Sequence, residues 1–146
     1  MLRVLLLTTP LLPVVSACTP EEHEEVEPVE EVREVLSDGE QYRVSYTPLP
    51  DPIPPIDLFD VVFFVEDAET DEPVEGLEGV LLEVSMPDHN HGMNVEPVLT
   101  DLGSGQWEAS PLKFHMTGSW QMLFAFQDGD EVDQAVFEVV CCESPE

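Results

Sequence analysis

The residues best suited to chemistry in this chain are concentrated in two short stretches. Ser85 to Val95 reads SMPDHNHGMNV and carries His89 and His91 together with Met86 and Met93, and KFHMTGSW further on adds His115 and Met116. In extended backbone, residues two apart project to the same side, so His89 and His91 can aim their imidazoles at one point with Met93 in phase behind them. Imidazoles mixed with soft thioethers suit copper, Cu(I) above all. Magnesium and calcium want oxygen ligands, and zinc accepts the histidines but gains little from methionine. The candidate donor set is therefore His89, His91, Met93 and His115 or Met116, with Met86 at the edge of the loop. Plainer roles compete at each position. Met86 is in phase with Val80, Leu82 and Val84, and Met116 with Leu112 and Phe114, so both suit a core equally well; Met122 sits among aromatics and reads as core. An exposed strand histidine such as His115, or a loop histidine, usually binds nothing.

Other reactive groups are few. Cys141 and Cys142 are adjacent. A disulfide between neighbours is geometrically demanding, so the pair reads as reduced, as linked between molecules, or as soft-metal donors. By alternation Cys141 points coreward and Cys142 outward. No glycine-rich phosphate loop, no G-x-S-x-G elbow and no nucleophile, base and orienting partner can be read from the chain, so no catalytic residue is assigned and a binding protein is expected rather than an enzyme.

The elements that position these groups have a period of two. Phe59, Val61, Phe63 and Val65 fall on one face, as do Val80, Leu82, Val84 and Met86, then Trp120, Met122, Phe124 and Phe126, then Ala135, Phe137, Val139 and Cys141. Turn-forming stretches separate them, with Asp128-Gly129 a hairpin signal. Weaker strands near Gln41 to Tyr46, Asn94 to Leu102 and Gln106 to Met116 bring the total to about seven. No convincing helix interrupts them. This pattern predicts an all-β fold, a single immunoglobulin-like β-sandwich over residues 56–142 followed by a tail at 143–146.

The N-terminal third differs in kind. MLRVLLLTTPLLPVVSAC has a basic Arg3 and then an apolar run too short to span a bilayer comfortably, which predicts an export signal over 1–17. Val15-Ser16-Ala17-Cys18 resembles a bacterial lipobox, so Cys18 is expected to be lipidated and to anchor the chain to a membrane. Residues 18–55 read as a tether, first acidic and then proline-rich, with a first strand conceivable near 41–46. Glu21 to Glu40 holds ten carboxylates and one arginine, and TPLPDPIPP follows. His23 within it reads as a solvated side chain. Over the full chain, 32 acidic residues face 4 basic ones for a formal charge of -28. That balance excludes nucleic acid as a partner, because phosphates would be repelled. It attracts cations without selectivity, although solubility or a salty medium accounts for it as readily.

Two motifs together carry a family resemblance. SMPDHNHGM, followed by FHMTGSWQMLFAF, resembles the YtkA-like domain, related to FixH-like and CopC-like exported β-sandwiches, with its MP-x-H-x-HG-M loop and F-x-M-x-G-x-W strand-turn-strand. The resemblance covers about Asp57 to Val140 and implies an immunoglobulin-like sandwich outside the cytoplasm, often lipid-anchored and associated with copper handling or oxidase assembly. Met86, His89, His91, Met93 and Met116 fall on its characteristic positions; His115, the acidic tether and the cysteine pair lie outside it. By resemblance to Gram-negative sorting rules, Thr19 after the cysteine favours the outer membrane, facing the periplasm, with the cell surface as the alternative. The expected function is copper binding, delivery to a copper-accepting envelope protein, or resistance; the alternative is a metal-free interaction module in an envelope complex. For the anchor, a Cys18→Ala change is expected to move the protein from the membrane fraction to the soluble fraction. Unchanged fractionation would refute the lipidation.

Overall fold

The computed structural model describes residues 33–142. The expected export signal, Cys18, His23 and the tail at 143–146 lie outside the described residues. Nine strands are formed: β1 (Glu34–Leu36), β2 (Tyr42–Leu49), β3 (Phe59–Asp67), β4 (Glu78–Met86), β5 (His91–Gly92), β6 (Val98–Gly103), β7 (Gln106–Leu112), β8 (Gly118–Asp128) and β9 (Glu131–Cys141). They assemble into two antiparallel sheets, ordered β1-β2-β3-β7-β6 and β5-β4-β8-β9. A single 3-10 turn over Pro87–His89 is the one helical element among the described residues. The architecture is the predicted β-sandwich. Its strand number exceeds seven because β1 and β5 are too short to show a period.

Alternation does the building. Phe59, Val61, Phe63 and Val65 from one sheet face Trp120, Met122, Phe124, Phe126, Ala135, Phe137 and Val139 from the other, all of them buried. Phe63 stacks across the interlayer space on Phe124, with ring centroids 4.4 Å apart, and Tyr46 meets Phe137 edge to face at 5.0 Å. Full burial of one such side chain stabilises by about 1.5–3 kcal/mol, and aromatic pairing adds to it.

The sheet also takes up residues whose composition suggests a tether. In β2, Tyr42, Val44, Tyr46 and Pro48 are all buried, and Ile53 beyond it is buried too. Pro48 lies past the last residue paired with β1, where β2 is itself an edge, the place a sheet tolerates proline. The turn between β1 and β2 is fastened to the opposite layer. Gly39 N–H and Gln134 N–H both donate to Asp133 Oδ1, at 3.0 and 2.8 Å, and Asp38 N–H donates to the Gln134 carbonyl at 2.8 Å. The approach is close: a Cβ on Gly39 would lie 2.7 Å from Asp133 Oδ2, so a larger residue there would have to displace the carboxylate that holds the turn. Of the few cations, the Arg33 guanidinium clasps Asp51 through two bonds of 2.6 and 2.9 Å and holds its carboxyl below the usual carboxylate range. Arg43 pairs with Asp71 and Glu34.

Tyr42 gives this layer contact a pH signature. Burial first, and then its hydrogen bond to Asp128 Oδ2 at 3.0 Å, push the phenol up to about 12. An unfolded tyrosine ionises near 10. The folded state thus retains its proton longer, and the contribution is complete below pH 10 and lost as pH rises towards 12. Thermal melts should therefore show a loss of stability on the order of 1–3 kcal/mol across that window, absent in Tyr42→Phe. Parallel pH profiles for the two proteins would refute the assignment.

Candidate metal site

The histidine and methionine residues come together at one end of the sandwich, where β4 finishes and β8 begins. Pro87 stops β4 and opens the 3-10 turn, which closes on Asn90 in the left-handed region at φ 53. The chain then doubles back as β5, pairing Met86 with His91 and Ser85 with Gly92. His89 and His91 are thus held on a short hairpin extension of the sheet. His89 is exposed and His91 half-buried.

His115 arrives from the other layer. β7 ends at Leu112, and residues 113–117 cross to β8 with Phe114 buried as their anchor. The ring of Phe114 stacks on Trp120 at 4.8 Å and 11°, and Phe59 meets Phe114 edge to face at 4.9 Å. Trp120 Nε1–H donates to the Met116 carbonyl at 2.9 Å, fixing the loop a second time. Above the indole lie two imidazoles, His91 at 6.0 Å and His115 at 5.4 Å, each steeply inclined to it. The His91 and His115 rings are 5.2 Å apart, and His89 and His91 5.8 Å. Two imidazoles bound to one metal at about 2.0 Å have centroids roughly 5–6 Å apart, so both pairs lie at a separation a shared ion requires.

The individual nitrogens sharpen this. His91 Nδ1 lies 3.1 Å from the Gly92 carbonyl. A carbonyl only accepts, so this contact is a hydrogen bond in the tautomer that carries its proton on Nδ1, the one in which Nε2 is the ligating atom and an outer carbonyl orients the ring. His115 Nδ1 is the one buried side-chain nitrogen or oxygen without a hydrogen-bond partner among the described residues. Such a group costs about 1–3 kcal/mol unless something satisfies it.

The methionines divide. Met86 is fully buried, consistent with its phase in β4, with its methyl at the inner face of Gly118. Gly118 has φ +129, and a Cβ would lie 3.0 Å from Met86 Cε, so both conformation and space call for glycine. Met93 is half-buried against the core and its sulfur accepts the Lys113 N–H at 3.5 Å. Met116 is 37% exposed rather than inward as its phase predicts, because β7 ends four residues earlier and alternation no longer applies. His115, expected outward, is half-buried against Trp120 for the same reason.

The cysteine pair stands at this end too. β8 and β9 are joined by a tight hairpin in which Asp128 pairs with Glu131, and that register sets Cys141 opposite Gly118. Cys141 is buried, as alternation predicts, and it is joined to Cys142 in a disulfide between neighbours, the pairing that looked least favourable from sequence. Cys142 lies just past the last residue of β9, free of strand alternation, and folds back against the core instead of pointing outward. Sequence reasoning missed Trp120 as the floor of the cluster; its spacing from Phe114 and Gly118 was the available signal.

Among the described residues, no three His, Cys, Asp or Glu donors already converge on one point. The donors that lie close are His89 with His91 and His91 with His115, with Met93 and Met116 on the adjoining segments; nitrogen and soft sulfur rather than oxygen fit copper better than a hard cation.

No curated protein and no solved structure matches the chain. The YtkA-like family model matches residues 37–124. That match begins 20 residues before Asp57, taking in the Asp133-anchored turn and β2, and it ends at Phe124, leaving β9 and its cysteines outside. The chain belongs to the YtkA-like family.

Proposed function

We propose that this protein binds copper at the His91–His115 end of the sandwich and works in the cell envelope, held to a membrane through lipid on Cys18, as a copper-delivery or resistance factor. The observation that carries the reading is the 5.2 Å approach of His91 and His115 over Trp120, with His91 Nδ1 against the Gly92 carbonyl. In this reading His89, its ring 5.8 Å from that of His91, is a further nitrogen donor, and Met93 and Met116, from the adjoining segments, supply the sulfur. Their softness favours Cu(I). The function is capture rather than catalysis. Neutral imidazoles and thioethers take the ion at a partly exposed loop, and ligand exchange passes it to a copper-accepting partner. Protons compete for the same nitrogens, so affinity falls on acidification.

A second reading rests on the absence of three preassembled His, Cys, Asp or Glu donors among the described residues. In it the sandwich is a metal-free interaction module and the histidine loop a contact surface.

One titration separates the two. The intact protein, purified in detergent, is titrated with Cu(I) held by a competing chelator, and with Cu(II) and Zn(II). Copper delivery predicts stoichiometric, chelator-resistant Cu(I) binding that weakens in acid. It also predicts that His89→Ala/His91→Ala loses more than the roughly tenfold to hundredfold in affinity that follows loss of a ligand's outer partner. Binding no tighter than that of an equally acidic control would favour the interaction module. Unchanged binding by the double variant would move the site elsewhere.

A further inference from the structure

His115 is not required by the family's loop and strand motifs, yet it is the histidine whose surroundings most demand a partner. Its Nδ1 is buried and unbonded, while its ring lies 5.2 Å from His91 and 5.4 Å from Trp120. A solvated or merely structural histidine needs neither condition. Solvated, it would face water; structural, it would spend its buried nitrogen on a neighbouring carbonyl or hydroxyl, as most buried polar groups do. Position adds to this. His115 is the only histidine delivered by the loop between β7 and β8, across from the hairpin that carries His89 and His91. It therefore closes the cluster from the side that the H-x-H loop leaves open.

We propose that His115 is a metal ligand through Nδ1, and that this third imidazole lets the site retain Cu(II) as well as Cu(I). The inference rests on the copper reading above and deepens it. Cu(I) is served well by thioethers and needs few ligands, so His91 with Met93 and Met116 offers enough. Cu(II) prefers imidazole nitrogen in a tetragonal arrangement and gains little from methionine. Removing a nitrogen donor should thus weaken the two oxidation states unequally. No electron transfer is implied; each state is bound as supplied. The packing of its ring against Trp120 and His91 makes His115 a positioned donor.

The test uses the intact protein in detergent, its His115→Ala variant, and His115→Gln as a second variant that keeps a polar group of similar reach. Far-UV circular dichroism and melting establish that each is folded. Cu(II) is followed by electron paramagnetic resonance and by quenching of tryptophan fluorescence, and Cu(I) by chelator competition. Expected is nitrogen-coordinated Cu(II) in the parent, at least about tenfold weaker Cu(II) binding in both variants, and a smaller loss for Cu(I). Equal Cu(II) affinity and unchanged nitrogen couplings in either folded variant would overturn the ligand assignment while leaving the copper reading intact. The same holds for a parent that binds Cu(I) but no Cu(II). A parent binding neither state would remove the copper reading, and this inference with it.

Discussion

Everything at the histidine end depends on how one indole is held. Trp120 is buried in β8, stacks on Phe114 and donates its N–H to the Met116 carbonyl. These contacts bind a five-residue crossing to the core twice, once through its apolar anchor and once through its backbone. Without them, residues 113–117 would be an ordinary connection between sheets, with little reason for His115 to be half-buried. The stack also runs inward, through Phe114 to Phe59, so the platform beneath the imidazoles is continuous with the interlayer core. Rigidity at the site is borrowed from packing. A short turn carrying His89 and a two-residue strand carrying His91 could not supply it alone.

Most of the fold was legible because half-buried strands write their orientation into the chain. All residues that alternation assigned to the inner faces of β3, β8 and β9 are buried. Legibility failed where that code stops. β2 has the same alternation, Tyr42, Val44, Tyr46 and Pro48, but it stands between an acidic run and a proline run whose composition argues for a tether; its full-length pairing with β3 and the anchoring of its preceding turn to Asp133 and Gln134 show why it folds. Met116 and His115 were assigned by extending a strand phase beyond Leu112, where the chain had already left the sheet. The position of Cys141 was within reach: counting back from the Asp128-Gly129 turn pairs it with Gly118, and the hairpin signal was plain. The partnerless His115 nitrogen was not, since it depends on contacts among three elements distant in sequence.

Charge divides the molecule differently from structure. Of the three described Lys and Arg residues, Arg33 just before β1 and Arg43 in β2 are engaged with Asp51, Asp71 and Glu34, and Lys113 stands beside Met93 of the histidine loop. Exposed ion pairs of this kind contribute little to stability, typically below about 1 kcal/mol, so cohesion comes from the aromatic interlayer and the latch at Asp133. The acidic surplus therefore sits on a fold that does not depend on it. Its physical effect is a field that draws cations towards the surface without selectivity.

The direction in which the chain enters the sandwich has a mechanical meaning. β1 lies along β2 through only three residue pairs, and the Arg33–Asp51 clasp stands immediately before it. A pull transmitted along the preceding segment would meet these two features first and peel them one after the other. The next restraint is the latch between Gly39 and Asp133, and only behind it does β2 begin. The latch is seated on β9, which pairs with the indole strand β8, while the hairpin bearing His89 and His91 lies on β4, on the far side of β8. Load would thus be spent on the clasp and the entry strand before it reached the sheet that carries the indole and the imidazoles.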